Sequence, residues 1–441
     1  MTASPEPAHN RPRAKTLVGL VRWVALGAAS GVLAGLACWI FLTALDHVTK
    51  ARLSHGWLLY LLPLTGLAVG ATYHYLGGKA GEGNGLLLDQ IHEPTAWVPR
   101  RMAPLVGIGT VAAHLFGASV GREGTALQMS GSLTDWLARL LGLRHEDRRI
   151  LLTAALGGGF GAVFGVPLAG AVFGLEVQRV SWHGRQAGTR LYRFAATLTA
   201  SVVGDQVVRG LGYHHPRLAH LHVGLAPGVM ARAAVAGIAF GMISVLFVRA
   251  TDLIHRVSRW AVPWAPIRPA IGGALVVGAV ALVGRSYLGL SLPLIDDALS
   301  GSHTDLRVPF LKLAFTALCL GAGFVGGEVT PLFVIGATLG SAMAPSLGLH
   351  PAVGAAIGFV AVFAGAANTP LACIVMGAEL FGTGAVPAVA VACVVAYLCS
   401  GRSGIYPTQQ RAERTGQLAL SRHHITAVGA RWRTRRFPQQ N

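Results

Sequence analysis

A carboxylate stands at the same place in two matching apolar frames far apart in the chain. The first frame reads GREGTALQMSG at 121–131 and the second GGEVTPLFVIG at 326–336. In register, Gly121 answers Gly326, Glu123 answers Glu328, Thr125 answers Thr330, Leu127 answers Leu332 and Gly131 answers Gly336. An ionisable group in apolar surroundings is costly, so one that recurs in a repeat marks an ion or proton site. A further pair, VPLAGAVFGLE at 166–176 and TPLACIVMGAE at 369–379, ends in Glu176 and Glu379. Each closes an apolar helix, and the favoured reading is a structural carboxylate tying a helix end to neighbouring backbone.

The frames suggest a mechanism. Gly121 and Gly124 leave backbone N–H groups unshielded, and a helix starting at Thr125 aims its positive end at the same point. That point suits either an anion or the carboxylate of Glu123 itself. If both can occupy it, protonating Glu123 clears the spot and couples proton binding to anion movement. The competing reading is an Arg122–Glu123 surface pair in a loop. In the second frame Pro331 suits the first helical turn, and Thr330 either caps the helix or offers its hydroxyl to an ion. The turn Gly83-Asn84-Gly85 lets Asn84 cap the next helix or point its amide at a ligand.

These residues sit in a chain unlike a soluble domain. Charged residues are 12% and hydrophobic residues 53% of 441, where a soluble domain carries about a quarter charged. Apolar runs recur at 17–45, 57–77, 103–120, 150–178, 227–250, 267–284, 330–348, 351–377 and 384–399. Several reach the roughly 20 residues that cross a bilayer, and others suit half-spans or re-entrant helices. Composition therefore predicts an all-α polytopic membrane protein, with broken helices wherever glycines interrupt the runs. The first run continues into further spans, so it reads as a retained helix rather than a leader.

The net charge of +18 does not point to nucleic acid. The basic residues lie between apolar runs, at Arg11, Arg13, Lys15 and Arg22, at Arg144, Arg148 and Arg149, and at Arg179, Arg185, Arg190 and Arg193. Excess Lys and Arg in short loops marks the cytoplasmic side, so both termini are expected inside. The expected partner of this charge is membrane lipid. The five cysteines form no CxxC and read as small buried hydrophobes, with neither disulfide nor metal site indicated. No cofactor is expected, and the chain is read as no enzyme. Gly117-Ala118-Ser119-Val120-Gly121 matches a hydrolase elbow, but without a strand pattern; an intramembrane serine protease remains the distant alternative. His214, His215, His220 and His222 read as a polar loop rather than a metal site.

The expected organisation is a disordered cytoplasmic arm at 1–16, a membrane domain at 17–408 and a basic cytoplasmic tail at 409–441. The membrane domain divides into repeat halves at about 17–212 and 226–408, as transporters built from internal repeats do.

GREG at 121–124, GGEVTP at 326–331, PLAG at 167–170 and Tyr406-Pro407 together resemble the CLC family of anion channels and anion/proton antiporters. The resemblance covers about 18–408. It implies a homodimer with one anion pathway per subunit, built from two inverted repeats whose helix N-termini meet at mid-membrane. It implies that Glu123 is the gating glutamate and that Tyr406 turns its hydroxyl to the anion. Chloride-type members usually carry Gly-Ser-Gly-Ile-Pro where this chain has Gly83-Asn84-Gly85-Leu86-Leu87, and Pro where it has Thr125. Their internal proton-transfer Glu falls at Val177. These departures resemble the fluoride-type branch, the CLC-F fluoride/proton antiporters. That likeness implies export of cytoplasmic fluoride against inward protons, and fluoride resistance, at a bacterial inner membrane. Donors to fluoride would be Asn84, Tyr406, Thr330 and the backbone of Gly121, Gly124, Thr125 and Val329, with Glu123 and Glu328 handling protons. A chloride/proton antiporter or passive chloride channel on the same fold is the alternative.

Overall fold

The helices break where the sequence places glycine, asparagine and proline. The computed structural model describes residues 11–178, 187–216, 218–401, 403–406 and 409. The run at 150–178 is two helices, α6 (His145–Phe164) and α7 (Pro167–Glu176), separated by Gly165 at φ 73. The run at 351–377 repeats the pattern as α14 (Pro351–Ala367) and α15 (Pro370–Phe381), separated by Asn368 at φ 57. A left-handed residue ends each first helix, and proline, whose N–H is not needed there, starts the second.

The same doubling runs through the chain. The first half holds α1 (Arg11–Ser54), α2 (Leu62–Thr72), α3 (Asn84–His92), α4 (Met102–Leu115), α5 (Glu123–Leu140), α6, α7 and α8 (Ala187–Gly210). The second holds α9 (Pro227–Ala261), α10 (Ile267–Val283), α11 (Leu292–Leu299), α12 (Arg307–Ala322), α13 (Val329–Met343), α14, α15 and α16 (Val386–Ser400). α1 begins at Arg11, so residues 11–16 of the expected arm belong to that helix. Residues 1–10, Pro407 at the end of the expected membrane domain and nearly all of the expected tail lie outside the described residues.

Among the described residues four helical segments are long and apolar enough to cross a membrane: Leu17–Ser54, Gly56–His92, Pro227–Ala261 and Thr383–Ser400. The protein is a polytopic helical membrane protein, and its outward faces carry large apolar side chains such as Leu64, Ile108, Met242, Leu282 and Leu398.

Two contacts show how the halves are related. Glu379 accepts hydrogen bonds from the N–H groups of Leu168 and Ala169 at 2.9 and 2.7 Å. Glu176 accepts from Leu371 and Ala372 at 3.0 and 2.8 Å. The carboxylate ending α7 thus caps α15, and the one ending α15 caps α7. This reciprocity sets the two helices antiparallel about a pseudo-two-fold. Stacked rings join neighbouring helices of each half, Phe160 of α6 on Phe173 of α7 and Phe333 of α13 on Phe359 of α14, each at 4.2 Å. Where α13 crosses α14, a Cβ on Gly340 would lie 1.9 Å from the Gly354 carbonyl oxygen, so only glycine allows this approach.

Cys399 is exposed, whereas Cys38, Cys319, Cys373 and Cys393 are buried as expected. Arg148, expected in a cytoplasmic loop, is buried. Its guanidinium grips Asp135 at 2.5 and 3.0 Å and also donates to the Ala96 carbonyl at 2.7 Å.

Candidate functional site

The two frames meet face to face. Gly121 donates to the Gly327 carbonyl at 2.6 Å, and Gly327 donates back to Gly121 at 2.9 Å. This antiparallel bridge brings the first turns of α5 and α13 together, each with unpaired backbone donors and a positive dipole end. A fully buried carboxylate lies between them. Glu123 Oε2 accepts from the backbone N–H of Thr330 at 3.0 Å and of Arg122 at 3.1 Å. Its Oε1 accepts the Thr330 hydroxyl, with the Arg122 guanidinium 3.7 Å away. The Arg122–Glu123 pair therefore exists, but it is buried rather than a surface pair.

On one side of the bridge opens a vestibule of about 1070 Å³. Asn84, Gln128, Gly326, Glu328 and Tyr406 line it, with His255, Arg259 and Arg268 also on its walls. Asn84 opens α3 after Gly83, whose φ of 60 and ψ of −139 only glycine adopts easily. A Cβ on Gly124 would lie 3.1 Å from the Asn84 amide nitrogen, so α3 starts directly against α5. The Asn84 Oδ1 and the Tyr406 hydroxyl are both buried without a hydrogen-bond partner among the described residues. Buried polar atoms are ordinarily paired, so two orphans facing one cavity indicate a ligand or water position. Glu328 is half-buried at the same cavity, whereas Glu123 does not line it.

Most of the expected site residues converge here. Asn84, Glu328 and Tyr406 face the vestibule, while Gly121, Glu123, Gly124, Val329 and Thr330 build the bridge region behind it. The Thr125 hydroxyl shares a 2.7 Å bond with Thr110 of α4 and so packs the helix, while the role expected of Thr125 rests on its backbone N–H. Ser119 is no exposed nucleophile: it is fully buried, and its hydroxyl meets Thr316 at 2.9 Å and the Lys312 ammonium at 2.9 Å. Among the described residues no group of three or more His, Cys, Asp or Glu could hold a metal ion.

Two residues escaped the sequence reading. Gln128 is 7% exposed, lines the vestibule beside Gly83 and makes no hydrogen bond among the described residues. Lys312 is fully buried among oxygens. Gln128 lies within the first frame but has Phe333 opposite it, so repetition did not mark it.

A profile of the family described as Voltage gated chloride channel matches residues 65–401. A "Chloride/fluoride channel protein" of Pseudomonas syringae pv. tomato is 46% identical over 423 residues, covering 92% of this chain and 88% of the relative. An "H(+)/Cl(-) exchange transporter ClcA" of Vibrio vulnificus is 26% identical, covering 80% and 81% of the two chains. Among solved structures, a CLC-type fluoride/proton antiporter superposes with a TM-score of 0.82 at 31% identity, covering 89% of this chain and 98% of the other. A slow cyanobacterial Cl−/H+ antiporter superposes with a TM-score of 0.75 at 20% identity, covering 93% and 99%, and shares the fold.

Proposed function

This chain belongs to the voltage-gated chloride channel family, the CLC proteins, and we propose that it works as a fluoride/proton antiporter. The observation that carries the reading is the seat of Glu123. Its carboxylate takes donors from the starts of two helices, donors that a small anion would otherwise accept. Protonated, the side chain loses its charge-assisted bonds and leaves; fluoride then takes its place, and the proton leaves on the other side. Glu123 is thus gate and proton carrier in one group.

Fluoride is small and strongly hydrated, so a site for it must replace water with several donors. Asn84, Gln128 and Tyr406 offer such groups at the vestibule end, with Glu328 placed to pass protons toward the bridge. Asn84 in place of the serine usual in chloride-type members, and Thr330 on the gate, favour fluoride over chloride. The likeness to the fluoride/proton antiporter fold supports the same choice. Hydrogen fluoride enters a cell neutral and dissociates inside, so the antiporter would export cytoplasmic fluoride against inward protons and confer fluoride resistance. We place it in a bacterial inner membrane as a homodimer, both termini cytoplasmic. A second reading, a passive channel, is favoured by the name of the Pseudomonas relative.

The deciding experiment is flux from proteoliposomes followed with fluoride, chloride and pH electrodes. Antiport predicts that a fluoride gradient drives protons uphill while chloride stays put. Comparable chloride flux would defeat the selectivity, and fluoride flux without protons would favour the channel.

A further inference from the structure

Lys312 sits in the middle of α12, fully buried, with no carboxylate in ion-pair distance among the described residues. Its ammonium meets neutral oxygens instead: the Gly289 carbonyl at 2.7 Å, Ser119 Oγ at 2.9 Å, Ser291 Oγ at 3.0 Å and the Tyr287 carbonyl at 3.2 Å. Taking a cation out of water without an opposite charge is heavily penalised. A chain with so few charges keeps one here for what its bonds hold.

Those bonds end on turns, and one turn leads to the gate. Thr316 and Cys319, farther along the same face of α12, close on the residue that Lys312 grips. Ser119 Oγ and Thr316 Oγ1 are 2.9 Å apart, and the Ser119 N–H points to Cys319 Sγ at 3.2 Å. Two residues on is Gly121, one partner in the bridge to Gly327. Past its C-terminus, α12 leads through 323–326 to Gly327 and Glu328. One helix therefore holds one side of the bridge by side chains and carries the other by chain continuity.

The other half lacks this device. Gly83 and Ser291 precede α3 and α11 at φ 60 and 57, as matching caps. The cap of α3 lines the vestibule, whereas the cap of α11 is bonded to Lys312. In the register that pairs Gly121 with Gly326, the position facing Lys312 is Gly107. The cation thus belongs to one half only, on the turn that leads to Glu123.

The structure assigns to Lys312 the part of a positioning residue. Its ammonium fixes the turn 117–121 on α12, holding Gly121 in register with Gly327 and Glu123 against Thr330. The transport consequence rests on the gate reading of Glu123; the structural consequence does not.

Three full-length variants test this: Lys312→Met, Ser119→Ala and Ser291→Ala. Each is compared with wild type for protons moved per fluoride in proteoliposomes and for amide hydrogen exchange over 117–123 in detergent. Lys312→Met and Ser119→Ala should exchange those amides about tenfold faster, as a locally loosened turn does. Their coupling ratio should fall about tenfold, a loss within the usual range of site-to-site coupling. Ser291→Ala frees only the far loop and should keep both near wild type. Unchanged exchange in a folded Lys312→Met protein overturns the assignment, as does equal loosening in Ser291→Ala. If Lys312→Met does not fold, Ser119→Ala against Ser291→Ala decides. A wild type that moves fluoride without protons would defeat the antiport reading, and the exchange comparison alone would then judge Lys312.

Discussion

The Glu123 carboxylate accepts from two backbone N–H groups and from the Thr330 hydroxyl, and this fixes what its replacement should do. Glutamine can keep the geometry of the seat, its oxygen accepting from the Thr330 and Arg122 N–H groups while its NH₂ donates to the Thr330 hydroxyl, but the bonds lose their charge assistance. Glu123→Gln should therefore hold the seat more weakly and carry no proton. Reconstituted protein should still pass fluoride, with a pH electrode recording no coupled protons; proton pumping by that variant would remove Glu123 from the mechanism. Gln128 makes a separate case. The residue is 7% exposed, its side chain makes no hydrogen bond among the described residues, and its amide lies beside Gly83 on the vestibule wall. Gln128→Leu keeps the bulk and removes the donor, so apparent fluoride affinity should weaken about tenfold, the worth of one hydrogen bond to a charged group. Flux titration reads this as a raised KM with an unchanged maximal rate, and an unchanged KM would show the amide is only hydrated. Glu123, Glu328 and Asn84 were legible in sequence because each stands in a glycine frame. Gln128 lies inside a frame but is not repeated, having Phe333 opposite it, and Lys312 lies outside both frames, so only burial and contacts reveal them.

At the scale of elements, the unexpected feature is the number of helix starts inside the protein. The apolar runs at 150–178 and 351–377 look continuous by hydropathy, yet each is two helices. The signals were present as Gly165-Val166-Pro167 and Asn368-Thr369-Pro370, but hydropathy windows average over them. The reason for the breaks is not in either segment alone. Each new helix start is capped by a glutamate of the other half, a long-range fact that no local pattern contains. The start of α6 shows how firmly such ends are held. Arg148 pairs with Asp135, itself bonded to the Val98 N–H at 2.7 Å, and its guanidinium lies 4.6 Å from the Trp97 ring centre. Arg148→Ala leaves Asp135 charged and buried, so it should destabilise the protein by about 3–5 kcal/mol. Arg148→Met with Asp135→Leu removes both charges and should lower the thermal midpoint in detergent less than the single change. If the double variant is the weaker of the two, the pair contributes more than charge compensation.

Across the whole molecule, α9 ties the site to the two faces of the membrane. Its 35 residues would extend about 50 Å, longer than a bilayer core of about 30 Å. His255 and Arg259, near its C-terminal end, line the vestibule, while Leu225 is exposed just before its start. The segment that joins the halves also carries His214, His215 and His220, which line a separate cavity of about 630 Å³. If α9 crosses the membrane, the two cavities open toward opposite faces, an arrangement that inverted halves allow. From the excess basic residues at the chain ends, and Arg259 and Arg268 at the vestibule, we propose that this cavity faces the cytoplasm. The prediction is sided. With Cys399, the exposed native thiol, replaced by serine, Arg259→Cys should react with a membrane-impermeant maleimide only from the cytoplasmic face. Leu225→Cys should react only from the opposite face. Labelling of both from one face would show that α9 does not cross the membrane and would undo the inverted arrangement. Exchange of the two faces would keep the fold and reverse the orientation. Fluoride meeting Asn84 and Tyr406 would then come from outside, and the export reading would fall with it.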